Sequence, residues 1–122
     1  MKFVDFFITQ ILREINLITI LGYMFEEHTM IRRAAVQCWT NLCTSSQMVT
    51  RAEGKNDLVK YSVLLCGDDD DPAIVQAASG ALAMLTSQSK KICNKVFDVS
   101  INHSVEIMKI YMYLHIFLTK NS

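Results

Sequence analysis

Four consecutive aspartates, Asp68 to Asp71, form the densest group of potential cation ligands in this 122-residue chain. A calcium loop of the EF-hand type needs spaced oxygen ligands, a glycine at the sharp turn and a distal bidentate glutamate. The aspartate run has none of these, so it reads as a solvated turn whose last member caps the next helix. His28, His103 and His115 lie far apart, with no cysteine or acid at ligand spacing, so they form no metal set. Cys38, Cys43, Cys66 and Cys93 sit in or beside apolar runs without a C-x-x-C spacing, as reduced, buried thiols do. Lys90, Lys91 and Lys95 are clustered but lack the interleaved aromatics of a single-strand binding surface, which leaves them as a solvated face. There is no glycine-rich phosphate loop, no G-x-S-x-G elbow and no acid–nucleophile pair fixed by spacing. The expectation is therefore a chain that is not an enzyme and uses no cofactor and no metal.

A different kind of function follows from two stretches that lie forty-three residues apart. Ile31-Arg32-Arg33-Ala34-Ala35-Val36-Gln37-Cys38-Trp39-Thr40-Asn41-Leu42 aligns with Ile74-Val75-Gln76-Ala77-Ala78-Ser79-Gly80-Ala81-Leu82-Ala83-Met84-Leu85. Under the shift Ile31 meets Ile74, Ala34-Ala35 meets Ala77-Ala78, Trp39 meets Leu82 and Leu42 meets Leu85, and each copy closes on a Thr/Ser pair. A helical repeat of roughly 40 to 47 residues marks an armadillo or HEAT array, a scaffold built to hold other proteins. The expected fold is all-α, an armadillo/HEAT-like right-handed helical solenoid of about two repeats plus flanking helices. Its units are a partial repeat over 1–25, repeat helices over 26–54, a repeat over 55–98 and a partial repeat over 99–122.

Composition agrees with a cytoplasmic helical protein. Twelve basic and twelve acidic residues balance, so no net field favours nucleic acid or an anionic membrane. The apolar stretch from Phe3 to Phe25 is interrupted by Asp5, Arg13, Glu14 and Asn16, and Val105 to Leu118 is too short and carries charge. Neither suits a membrane span, which needs about 20 nearly uncharged residues. Both read as core-facing helices, and Tyr111, Met112, Tyr113 and Phe117 make an apolar stripe on the second. With barely two complete units and apolar ends, marginal stability or self-association through the terminal helices is expected.

The elements follow from periodicity and caps. Helices are expected from Asp5 to about Phe25 with a break near Gly22, from Thr29 to Thr44, and from about Gln47 to Glu53, ended by Gly54. Asp57 would cap a helix over Leu58 to Leu65. A turn at Asp68 to Asp71 leads into Pro72 to Ser87, since Asp71-Pro72 pairs an N-cap oxygen with a proline at the first helical position. A short helix near Lys90 to Phe97 and a last one from Asn102 or Ser104 to Leu118 complete the chain. On the helix after Thr29, the stripe Ala35, Cys38, Trp39 and Leu42 should be buried, while Arg33, Gln37, Asn41 and Thr44 are polar. The counterpart stripe is Gln76, Gly80, Met84 and Ser87. In a solenoid the last helix of each repeat lines the concave surface, so Arg33, Gln37, Asn41, Gln76, Gly80 and Met84 are the expected groove residues. The small residues Ala34, Ala35, Ala77, Ala78 and Gly80 should let the helices approach closely.

These residues also carry a family resemblance. Ala35 to Cys43 looks like the third helix of an armadillo repeat, with Asn41 at the place of its frequent groove asparagine. Gln37 replaces that repeat's common tryptophan, and Met84 replaces the asparagine in the second copy. Glu27 to Ala35, Leu64-Leu65-Cys66-Gly67-Asp68-Asp69-Asp70 and Gly80 to Thr86 resemble the UCS domain of the uncoordinated-type myosin chaperones, over about Glu26 to Asp98. The resemblance implies a co-chaperone that recognises the myosin motor domain through an armadillo-like groove. Full members also carry a tetratricopeptide domain that docks heat-shock protein 90, which this chain lacks, and several further repeats, so the chain looks like a piece of such a protein.

Overall fold

A computed structural model describes residues 14–68 and 71–102, and these residues form six α-helices without a strand among them. They are α1 (Glu14–Tyr23), α2 (Thr29–Leu42), α3 (Ser46–Gly54), α4 (Asn56–Asp68), α5 (Pro72–Gln88) and α6 (Lys90–Asn102). The expected helical segments over 5–13 and 104–118, with His103, His115 and the stripe at Tyr111 to Phe117, lie outside the described residues.

The forty-three-residue shift carries the start of α2 onto that of α5, α1 onto α4 and α3 onto α6 to within one residue, and each helix of the second copy ends two to five residues later. Equivalent helices pack side by side, α2 along α5 and α3 beside α6, while α4 lies against both α5 and α6. This is the all-α helical-repeat solenoid that the sequence pattern predicts. Helix α5 is sandwiched, and its burial shows it: Ile74, Val75, Ala78, Ser79, Gly80, Ala81, Leu82, Ala83 and Leu85 are all buried. On α2 burial is confined to a stripe of Ala35, Val36, Trp39 and Leu42, with Cys38 only half-buried and Ala34 exposed. Val36 thus joins the expected apolar stripe, and among the small residues Ala34 is free of close packing.

The repeat also explains the helix ends. Ser45 and Ser89 occupy matching N-caps of α3 and α6, Ser45 accepting from the Gln47 amide at 3.2 Å and Ser89 from the Ile92 amide at 3.2 Å. A serine oxygen there satisfies a helix amide that would otherwise lack a partner. Thr44 and Ser87, at matching C-terminal positions, turn their hydroxyls back onto the carbonyls of Asn41 and Met84 at 2.8 and 3.0 Å. One member of each Thr/Ser pair visible in the sequence, Thr44 and Ser87, thus closes α2 and α5, while Ser45 starts α3.

Three boundaries differ from the sequence expectation. The helix of Asp57 begins at Asn56, so Asp57 is no cap but lies in the first turn, where its charge complements the helix dipole. The same helix continues to Asp68, which leaves the aspartate turn shorter than expected. α6 does not stop near Phe97 but reaches Asn102, because Ile92, Val96 and Ser100 recur four residues apart on its buried face.

Trp39 is the largest fully buried side chain and ties α2 to α4. Its indole Nε1–H donates to Ser62 Oγ at 2.7 Å, and Ser62 in turn donates to the Leu58 carbonyl at 3.0 Å. Beside it, Ser79 Oγ spends its proton on the Val75 carbonyl at 2.7 Å, so the Cys66 thiol, 3.1 Å away, is the donor in the α4–α5 contact. Replacing Ser62 by alanine strands the buried indole N–H and should destabilise the protein by about 1–3 kcal/mol. Trp39→Ala removes the packing as well and should cost about 3–5 kcal/mol. Urea unfolding followed by helical circular dichroism measures both, with Trp39→Ala the larger.

Candidate protein-binding groove

α2 and α5 run side by side and are fastened at three levels. Near their N-terminal ends the Arg33 guanidinium grips Asp71 side-on, with Nε donating to Oδ2 at 2.7 Å and Nη2 to Oδ1 at 3.2 Å. Midway, Thr40 Oγ1 lies 2.7 Å from the Ala77 carbonyl and 2.9 Å from the carbonyl of Val36, one turn back on its own helix. At the far end Gln88 Nε2 donates to the carbonyls of Cys43 at 3.2 Å and Met84 at 2.9 Å.

Between the first two levels lies a cleft of about 340 Å³ lined by Gln37, Thr40, Ala73, Gln76, Ala77 and Gly80. Three of the residues expected in the groove, Gln37, Gln76 and Gly80, meet here. Gly80 is buried and forms part of the cleft's base, while Gln37 and Gln76 are exposed on its two sides. Gln37 donates its amide to Asn41 Oδ1 at 3.1 Å, so Asn41 extends the polar stripe one turn beyond the cleft. Met84 is half-buried and packs on the hydrophobic core. Arg33 is held by Asp71 and does not line the cleft. Thr40 does line it, although nothing in the polar stripe points there; the only sign is a β-branched hydroxyl between buried Val36 and exposed Asn41.

Asp71 does two jobs at once. Its Oδ1 also accepts from the Ala73 amide at 3.0 Å, so one buried carboxylate caps α5 and anchors it to α2. The bond from Arg33, helped by the Ala73 amide and by the charges of Arg33 and Arg32, lowers the Asp71 pKa against the opposing effect of burial. The same bond raises that of Arg33. His28, the counterpart of Asp71 at the start of α2, makes no side-chain cap bond. Arg32 instead holds this loop, donating to the carbonyls of Glu26 and Glu27.

On the opposite side, α1 and α4 enclose a larger, apolar cleft of about 530 Å³ bordered by Leu17, Leu21, Phe25, Leu58, Tyr61 and Leu64. Phe25 and Tyr61 close one part of it edge to face, with ring centroids 5.1 Å apart. Of the three expected lysines, Lys95 is tied to Asn56 of α4, and Lys90 and Lys91 are exposed. Burial pushes the Cys43 thiol well above its ordinary pKa, which disfavours the reactive thiolate. Among the described residues no group of three metal-binding side chains converges, and no helix is long and apolar enough to cross a membrane.

A stack of equivalent helices with a polar cleft between neighbouring third helices defines a helical-repeat protein. Relatives with this sequence are the proteins called unc-45 homolog B. The chain is 44% identical to the one from Xenopus tropicalis over 93 residues, 45% to that of Homo sapiens over 93 residues and 45% to that of Danio rerio over 92 residues. Each match takes in 75% of this chain and 10% of the relative, so the chain spans about a tenth of the length of the curated relatives it matches. The shared stretch is longer than the residues that carried the resemblance and is consistent with a UCS-type fragment. No protein-family model matches the chain, and no solved structure matches it.

Because the folded-state pKa of Asp71 is depressed, its link contributes stability above the unfolded carboxylate value of about 3.9 and loses it as pH falls through the lower folded value. Arg33 would lose its share only at extreme alkaline pH. The expected result is a Tm gap between the wild type and Asp71→Asn that is complete at pH 7 and narrows below about pH 4. Thermal melts at stepped pH read it directly.

Proposed function

We propose that this chain is a client-holding segment of a myosin-directed co-chaperone that works in the cytoplasm and binds the myosin motor domain through the α2/α5 groove. The observation that carries the reading is the 44–45% identity to unc-45 homolog B proteins. A 93-residue match to a 122-residue chain takes in most of α2 and all of α5. Arg33, Gln37, Asn41, Gln76, Gly80 and Met84 remain the residues of interest, with Thr40 added. Gln37 and Gln76 are the direct contacts, because they are exposed on the two sides of the cleft and carry both donors and acceptors.

The mechanism needs no covalent step and no nucleotide. A partly unfolded motor domain exposes apolar surface and unpaired backbone, and a protein that binds this form lowers the concentration free to aggregate. Amide side chains suit that task, since they can pair with a client's backbone groups without demanding one side-chain sequence. Heat-shock protein 90, the second partner implied by the resemblance, would be engaged by a tetratricopeptide domain, which these six helices do not form.

A second reading, self-association, draws on apolar side chains left in water: Ile18 is 57% exposed, Met30 72% and Ile101 66%. Large exposed apolar residues grouped at the ends of an array favour contact with another copy. Sedimentation velocity across a hundred-fold concentration range separates the two readings. A monomer throughout removes self-association.

The chain should suppress light scattering from a gently heated myosin motor domain more than an unrelated armadillo fragment of equal size does. Gln37→Ala with Gln76→Ala should weaken that suppression about ten-fold while leaving helix content unchanged. Equal suppression by wild type and a folded double variant would remove the groove from the mechanism.

A further inference from the structure

We infer that Arg33, the one charged residue of the predicted groove, acts on client binding as a positioning residue through Asp71 and not as a client contact. The inference rests on the groove reading above. Side-on pairing uses Nε and Nη2, the two donors that match a carboxylate's two oxygens, and both are taken by Asp71. Asp71 is itself buried and fixed to the first turn of α5 through the Ala73 amide. A movement of the guanidinium is therefore a movement of the start of α5 relative to α2.

The cleft lies where this matters. Gln37 stands one turn after Arg33 on α2, and Ala73 and Gln76 lie in the first turns after Asp71 on α5. The separation of the two glutamines is thus set close to the Arg33–Asp71 link, with the Thr40–Ala77 contact as the second fixed point. Only two residues of one polar ladder need to sit at a defined distance for a bound chain to pair with both. A link of this kind decides affinity without touching the ligand.

Arg33 and Asp71 form an ion pair that spans the α2–α5 junction.

The test is a double-mutant cycle with Arg33→Met and Asp71→Asn, the asparagine retaining the helix cap. The probe is the heated motor domain, and the readout is the concentration of full chain that halves its light scattering. A second readout is the NMR position of the Gln37 and Gln76 side-chain amides. Each single variant and the double variant should raise the half-suppressing concentration by the same factor, about three- to ten-fold, because all three break one link. They should also shift both amides together. Arg33→Lys keeps the charge but loses the fork, and should behave like Arg33→Met. Effects that multiply in the double variant, full activity of Arg33→Lys, or amides unmoved by Asp71→Asn would each overturn the inference. If the wild type itself fails to suppress scattering, the client reading fails, and the amide positions alone decide whether Arg33 sets the groove.

Discussion

The joint between the repeats turns on one carboxylate. Asp71 supplies the acceptor for the first turn of α5 and the anchor for Arg33 of α2, so the start of one third helix is defined by the side of the previous one. A capping residue usually stabilises only its own helix. Here the cap also sets the spacing between units, which is why the polar cleft, the sandwiching of α5 and the exposed edges of α2 all follow from the same place. The first third helix has His28 where α5 has Asp71, and no bond of this type holds it.

The interior is built from pairs of small and large residues exchanged between copies. Trp39 on α2 occupies the place that Leu82 takes on α5, and the buried indole N–H that leucine lacks is satisfied by a hydrogen bond to Ser62. Ser62 thus tolerates full burial because both its donor and acceptor roles are filled. Gly80 stands where α2 has Gln37, so one wall of the cleft is a side chain and the opposing base is bare backbone. The two copies are alike in framework and unlike at the surface, as expected of a scaffold whose neighbouring units present different faces.

Much of the fold is legible in the amino-acid order alone, because the repeat forces equivalent helices into equivalent places. Asp71-Pro72 marks the start of α5, and the apolar periodicity of Thr29 to Leu42 marks α2. The end of α6 escapes such a reading because Asp98 interrupts the apolar run only on the exposed side, and periodicity taken residue by residue cannot tell which side is which. The groove is legible in part. Gln37, Gln76 and Gly80 come together as their shared phase requires, whereas Arg33 cannot be placed from its own helix, its partner being 38 residues away. Thr40 is hidden for a related reason: its role depends on the Ala77 carbonyl, a backbone group that carries no sequence signal.

Single residues, Lys55 and Ser89, separate α3 from α4 and α5 from α6. Among the described residues, side-chain ties between helices span up to 45 residues, as from Gln88 to Cys43. Each tie joins a unit to its neighbour, and a stack of this kind can begin to order at any unit. A growing chain leaving the ribosome would have the described partners of α2 at hand once α5 had emerged. The architecture suits assembly during synthesis, one unit settling on the last.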